Sequence, residues 1–67
     1  DFDSTNFQLV TKPIVIEKDV FIGVRTMVLP GVTIRKGAII GAQSVVTKNI
    51  PPNVVFGGNP AKKIRNR

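Results

Sequence analysis

Apolar residues recur along this chain at a spacing of six. From Ile16 to Ile50 the sequence divides into six hexads, led by Ile16, Ile22, Val28, Ile34, Ile40 and Val46. The fifth residues are Val20, Thr26, Val32, Ala38, Ser44 and Ile50, small or β-branched every time. In an α-helix six residues advance by about 600°, so successive leaders would face three different sides and no apolar stripe would form. A long strand with alternating faces would bury the first, third and fifth positions together. The third positions are Lys18, Val24, Pro30, Lys36, Ala42 and Lys48, and three lysines do not belong in a core. The remaining pattern is a short extended segment followed by a corner, with the leader pointing inward and the third position near the bend. Gly23, Gly31, Gly37, Gly41 and Pro30 are candidates for the backbone angles that corners require.

Three such sides close a triangular coil of eighteen residues, and stacked coils share parallel hydrogen bonds about 4.8 Å apart. The predicted fold class is therefore all-β, a parallel β-helix, for which hexapeptide repeats are the sequence signature. The period does not determine handedness, since the usual right-handed rule for parallel crossovers would predict the opposite of what hexapeptide families adopt. Val10 and Ile14 continue the pattern one hexad upstream, with Thr11 and Lys12 making a weaker match.

Around these coils the chain divides into residues 1–13, a lead-in loop; 14–50, the coils; and 51–67, a C-terminal strand, turn and basic tail. Phe2 and Phe7 in the lead-in can pack on the prism wall or on a neighbouring chain, and Pro13 suits a coil edge. Pro51–Pro52 is expected to end the ladder, because proline has no N–H to donate. Val54-Val55-Phe56 forms a last apolar strand on the final coil, and Gly57-Gly58-Asn59-Pro60 is a turn by composition. The residues from Ala61 then run off as a basic tail anchored by Ile64. About two coils make a short prism, and stacked repeats generally need about three units with capped ends. The chain is therefore expected to be the C-terminal part of a longer protein or to depend on self-association.

Charge is distributed unevenly. Ten Lys and Arg stand against four Asp and Glu among the 67 residues, and no acid follows Asp19. The basic end attracts an anion, although a solvated tail is the simpler account of Lys62 and Lys63. Nucleic acid is a poor fit because no aromatics interleave with the cations and no recognised module is present. The chain has no cysteine, which excludes disulfides and thiolate chemistry and fits a reducing, cytoplasmic setting. No apolar run approaches the roughly 18 residues of a membrane span, so membrane insertion is not expected. Gly-Gly-Asn-Pro-Ala-Lys at 57–62 lacks the second glycine before lysine and the following Ser or Thr of a nucleotide P-loop. No metal-ligating cluster is visible, and histidine is absent throughout.

Several segments together carry a family resemblance. They are Phe-Ile-Gly at 21–23, Leu-Pro-Gly-Val-Thr-Ile at 29–34, Ile-Gly-Ala-Gln-Ser-Val-Val-Thr-Lys at 40–48, Ile-Pro-Pro-Asn-Val-Val at 50–55 and Gly-Asn-Pro-Ala-Lys at 58–62. Across residues 13–65 the chain resembles the C-terminal half of hexapeptide-repeat O-acetyltransferases of the maltose, galactoside and colanic-acid-biosynthesis branch. The hexads alone point to the wider superfamily; the Pro-Pro-Asn and Gly-Asn-Pro-Ala-Lys segments are the more specific signal. The lead-in is most similar to polysaccharide-modifying members.

The resemblance implies left-handed coils, a homotrimer with active sites between neighbouring subunits, and transfer of acetyl from acetyl-coenzyme A to the hydroxyl of a sugar or polysaccharide precursor. A hydroxyl needs a general base as it attacks. In the family that base is a histidine on a loop ahead of the matching coils, so here it is expected upstream, no catalytic residue is assigned within the chain, and the fragment alone is expected to be inactive. By position, Phe21 corresponds to an aromatic beside the acceptor cleft, and an outward wall or interface aromatic explains it equally well. Val24 stands where some relatives carry a serine that steadies the reacting centre; valine cannot donate from its side chain. Ala42 corresponds to a backbone contact with the pantetheine arm, Thr47 and Lys48 to the adenine and phosphate end, and Arg65 to a tail arginine on the nucleotide phosphates. The competing reading is a non-catalytic β-helix module for structure or oligomerisation.

Overall fold

Ile and Val suit strands because their branched side chains restrict χ1 and pack well on a pleated surface. The computed structural model describes residues 12–67. Its strands are β1 (Val15–Ile16), β2 (Phe21–Ile22), β3 (Met27–Val28), β4 (Thr33–Ile34), β5 (Ile39–Ile40), β6 (Val45–Val46), β7 (Val54–Gly57) and β8 (Lys62–Asn66). They form three walls, β1-β4, β2-β5-β7-β8 and β3-β6. Register follows the predicted coil length: Val15 lies beside Thr33, Phe21 beside Ile39 and Met27 beside Val45, each eighteen residues on and all parallel. The molecule is a left-handed parallel β-helix with triangular coils. Phe2, Phe7 and Val10, and the lead-in up to residue 11, lie outside the described residues.

The core is made of first and fifth positions. Ile34, Ile40 and Val46 are completely buried, joined by Val32, Ala38, Ile50 and Val54. Ile16, a leader of the first coil, is 50% exposed because, among the described residues, it is stacked from one side only. Outside the prism, Glu17 joins adjacent coils, bonding Arg35 Nη1 at 3.1 Å and the Lys36 N–H at 2.9 Å.

The left-handed backbone angle falls at the fourth hexad position. Asp19, Arg25, Gly31, Gly37 and Gln43 all have φ between 60° and 83°. Gly23 and Gly41 are not among them; they precede the corner, and the lack of a side chain serves close approach at Gly23, whereas Gly41 has room for a Cβ. A Cβ on Gly23 would stand 2.5 Å from the Ala42 nitrogen.

Two expectations for the C-terminal end are corrected. Pro51–Pro52 does not end the ladder: Ile50 stacks in parallel on Ile34, and β7 stacks on β5 with Phe56 beside Ile40. These partners are sixteen residues apart, so the third wall of this coil is two residues short and Ile50 is a new leader rather than a fifth position. The fourth residue from it, Asn53, again has positive φ at 57°. The prolines occupy the corner between Ile50 and Asn53, where no ladder N–H is required. The basic tail does not run off either. β8 turns back and pairs antiparallel with β7, with Val55 opposite Arg65 and Phe56 opposite Lys63, which leaves Ile64 as the extra residue of a bulge. Arg67 secures its end, donating from Nη1 to the Gly37 carbonyl at 2.8 Å and from its N–H to the Asn53 carbonyl at 2.9 Å.

Candidate functional site

Parallel register places the predicted site residues in three locations. On the second wall, Phe21, Ile39, Val55 and Arg65 form one cross-strand row. Phe21, 64% exposed, stands at one end and the exposed Arg65 at the other, separated by three strand spacings or about 14 Å. At the corner between the second and third walls, the exposed residues Val24 and Ala42 lie on adjacent coils, joined by the Gln43 N–H donating to the Val24 carbonyl at 2.9 Å. Val24 is 73% exposed. At the next corner, between the third wall and the first, Thr47 and Lys48 are exposed. The third wall, β6, therefore separates Ala42 from Thr47 and Lys48.

One chain thus brings Val24 and Ala42 together and sets Phe21 and Arg65 on a shared row, but it does not gather all six into one cavity. Among the described residues no pocket encloses them. The one ion pair among those residues is Arg35 with Glu17, so Lys48 and Arg65 have no carboxylate partner there. The same residues contain no metal-type cluster of His, Cys, Asp or Glu, and no helix among them is long and apolar enough to cross a membrane. Exposed cations flanking a small-residue corner match a ligand with an anionic end and a slender polar arm.

Two inward hydroxyls at the Val24–Ala42 corner were not singled out by the sequence reading. Thr26 Oγ1 donates to the Gly23 carbonyl at 2.8 Å and approaches the Gly41 carbonyl at 3.2 Å. Ser44 Oγ, 1% exposed, donates to the Gly41 carbonyl at 2.7 Å and accepts the Gly58 N–H at 3.1 Å. A sequence signal for them exists: both hexads with glycine in second place, Ile22-Gly23 and Ile40-Gly41, carry a hydroxyl residue in fifth place.

Residues 13–48 match the family described as bacterial transferase hexapeptide (six repeats). A chloramphenicol acetyltransferase of Klebsiella aerogenes is 55% identical over 53 residues, covering 79% of this chain and 25% of that protein. A protein of Escherichia coli strain K12 named for colanic acid biosynthesis acetyltransferase activity is 45% identical over all 67 residues, which cover 37% of its length. Among solved structures, a galactoside acetyltransferase in complex with coenzyme A superposes with a TM-score of 0.80 at 51% identity, covering 82% of this chain and 28% of that one. The chain therefore spans between a quarter and two fifths of the length of these three proteins.

Proposed function

The chain belongs to the bacterial transferase hexapeptide family, and from that premise we propose that it is the cofactor-binding and trimerising part of an acetyl-coenzyme A-dependent O-acetyltransferase. The observation that carries this reading is the correspondence of its coils to those of an acetyltransferase solved with coenzyme A. The residues present suit that ligand. Lys48 and Arg65 offer exposed cations to phosphate oxygens, Thr47 offers a hydroxyl beside them, and Ala42 leaves the backbone open to the pantetheine arm.

Acetyl-coenzyme A supplies an activated acyl group. The acceptor oxygen forms a bond to its carbonyl carbon, the thiolate leaves, and a general base removes the hydroxyl proton. In the resembled family that base is a histidine on a loop ahead of the matching coils, and the same placement is proposed here; none of the 67 residues is histidine. Phe21, at the end of its row away from Arg65, is assigned to the acceptor side. A trimer would set that row of one copy against a neighbouring copy and supply the cleft walls that a single chain does not form.

The proposed acceptor is a sugar or polysaccharide-precursor hydroxyl, supported by the match of all 67 residues to 37% of the colanic-acid-named relative. A second reading, an antibiotic hydroxyl, is favoured by the higher identity to the chloramphenicol acetyltransferase. Both relatives share these coils, so the choice of acceptor rests with segments outside them, and turnover by the full-length protein with each class of acceptor separates the two. Calorimetry of coenzyme A with the full-length protein tests the cofactor assignment. Binding is expected, weakened by about tenfold in Lys48→Ala and in Arg65→Ala through loss of a charge-assisted contact. No binding at millimolar coenzyme A would overturn the reading in favour of a structural module.

A further inference from the structure

The three kinds of corner in this prism secure their second-position carbonyls differently. At the corner between the first and second walls the Arg35 carbonyl accepts the Ala38 N–H at 3.2 Å, and between the third and first walls the Leu29 carbonyl accepts the Val32 N–H at 3.4 Å. Those are main-chain turn bonds from the fifth residue. At the corner between the second and third walls the fifth residue uses its side chain instead, Thr26 on Gly23 and Ser44 on Gly41. Ser44 is buried inside the prism, so the Gly41 carbonyl is drawn toward the axis. Thr26 Oγ1, whose one proton goes to the Gly23 carbonyl, lies 3.2 Å from the Gly41 carbonyl of the adjacent coil.

A trans peptide holds its N–H antiparallel to its C=O, and the cis bond among the described residues is Asn59–Pro60. With their carbonyls turned inward, the Gly23–Val24 and Gly41–Ala42 peptides direct the N–H groups of Val24 and Ala42 outward. Neither N–H has a hydrogen-bond partner among the described residues, and Val24 and Ala42 are both exposed. Glycine at 23 keeps the second donor open, since a Cβ there would stand 2.5 Å from the Ala42 nitrogen. The third peptide of the stack is reversed: the Gly58 N–H turns inward to Ser44. The outward donors at this corner are thus two, on adjacent coils about 4.8 Å apart.

We infer that Thr26 and Ser44 are positioning residues: their inward hydroxyls lock two corner peptides so that the Val24 and Ala42 N–H groups form an outward pair of donors for carbonyl oxygens of the coenzyme's amide-and-thioester arm. This rests on the cofactor reading above. It also gives the Val24 position a donor that its side chain lacks, from the main chain. A rotating or missing hydroxyl frees the peptide to tilt and removes the fixed direction of the donor, while the corner residues themselves stay in place.

The test uses the isotope-labelled full-length protein, with coenzyme A and acetyl-coenzyme A as probes. Saturation is expected to move the Val24 and Ala42 amide proton resonances downfield together. Thr26→Val and Ser44→Ala should each weaken coenzyme A binding by about fivefold, the worth of one net hydrogen bond, and abolish that shift. Thr26→Ser should restore both. If the unsubstituted protein binds coenzyme A without moving either amide, or Thr26→Val binds and shifts as the parent does, the inference is overturned and the cofactor assignment survives. If the unsubstituted protein does not bind coenzyme A, the cofactor assignment itself fails. Where a variant does not fold, the unsubstituted protein alone can still overturn the inference, by binding coenzyme A without moving either amide.

Discussion

The Asn49 side chain takes the place of a main-chain carbonyl opposite Thr33. In the first described coil the residue before each leader donates its N–H to the fifth-position carbonyl of the next coil, Val15 to Val32, Phe21 to Ala38 and Met27 to Ser44. At Thr33 the coil above is two residues short, and the N–H is accepted instead by Asn49 Oδ1 at 2.8 Å. The ladder then resumes with the Ile50 N–H on the Thr33 carbonyl at 2.9 Å. One side-chain amide thus bridges the change of register.

Asn49→Ala should therefore lower stability by about 0.5–1.5 kcal/mol, the net value of one hydrogen bond, since water can reach this exposed edge. Asn49→Asp keeps the accepting oxygen and should stay close to the parent. Denaturant midpoints of the full-length protein at one fixed concentration measure both. Equal midpoints for the alanine variant and the parent would show that the bridge carries no stability.

Gly37 and Asn53 are coupled through space. Gly37 has φ of 76°, and a Cβ there would overlap Asn53 Oδ1. Gly37→Ala should cost about 1–3 kcal/mol from the left-handed angle and the overlap together. Combining it with Asn53→Gly should recover the overlap component only. A double-mutant cycle on thermal unfolding reads that coupling, and strict additivity would refute it.

Ile34→Ala, at a completely buried leader, should destabilise by about 2–5 kcal/mol through lost burial and the cavity left behind. Ile64, 62% exposed at the bulge of β8, should tolerate alanine within about 0.5 kcal/mol. Comparable losses at the two positions would mean that β8 is held by Ile64 rather than by its main-chain ladder.

Coenzyme A affinity should fall as salt rises, because exposed charges further apart than about 8–10 Å are largely screened near physiological ionic strength. Lys48→Ala should flatten that dependence as well as weaken binding. A slope identical to the parent's would place Lys48 away from the phosphates, in solvent.

Much of the fold was legible because the first position of every hexad from Ile16 to Val46 is Ile or Val, so the buried leaders Ile34, Ile40 and Val46 announce themselves. The shortened coil was not, and Ile50 shows why: isoleucine suits a fifth position as well as a first, since both face the axis. β8 was hidden for a different reason. Its attachment is main-chain hydrogen bonding to β7, which any sequence without proline can make, and its lysines and arginines read as a solvated tail. At the candidate site, Ala42, Thr47, Lys48 and Arg65 came from resemblance and not from period. The hydroxyls of Thr26 and Ser44 went unremarked because serine and threonine also fit a fifth position by size alone.

A parallel coil has no natural last turn: each layer offers the next the same row of open N–H and C=O groups, and nothing in its geometry limits growth. β8 changes the polarity of that row on the second wall. By reversing chain direction and facing outward with Lys62, Lys63 and Arg65, it turns a template for further layers into a charged, mismatched rim. End-to-end polymerisation of the prism is thereby opposed at this edge by a strand whose side chains bury almost nothing.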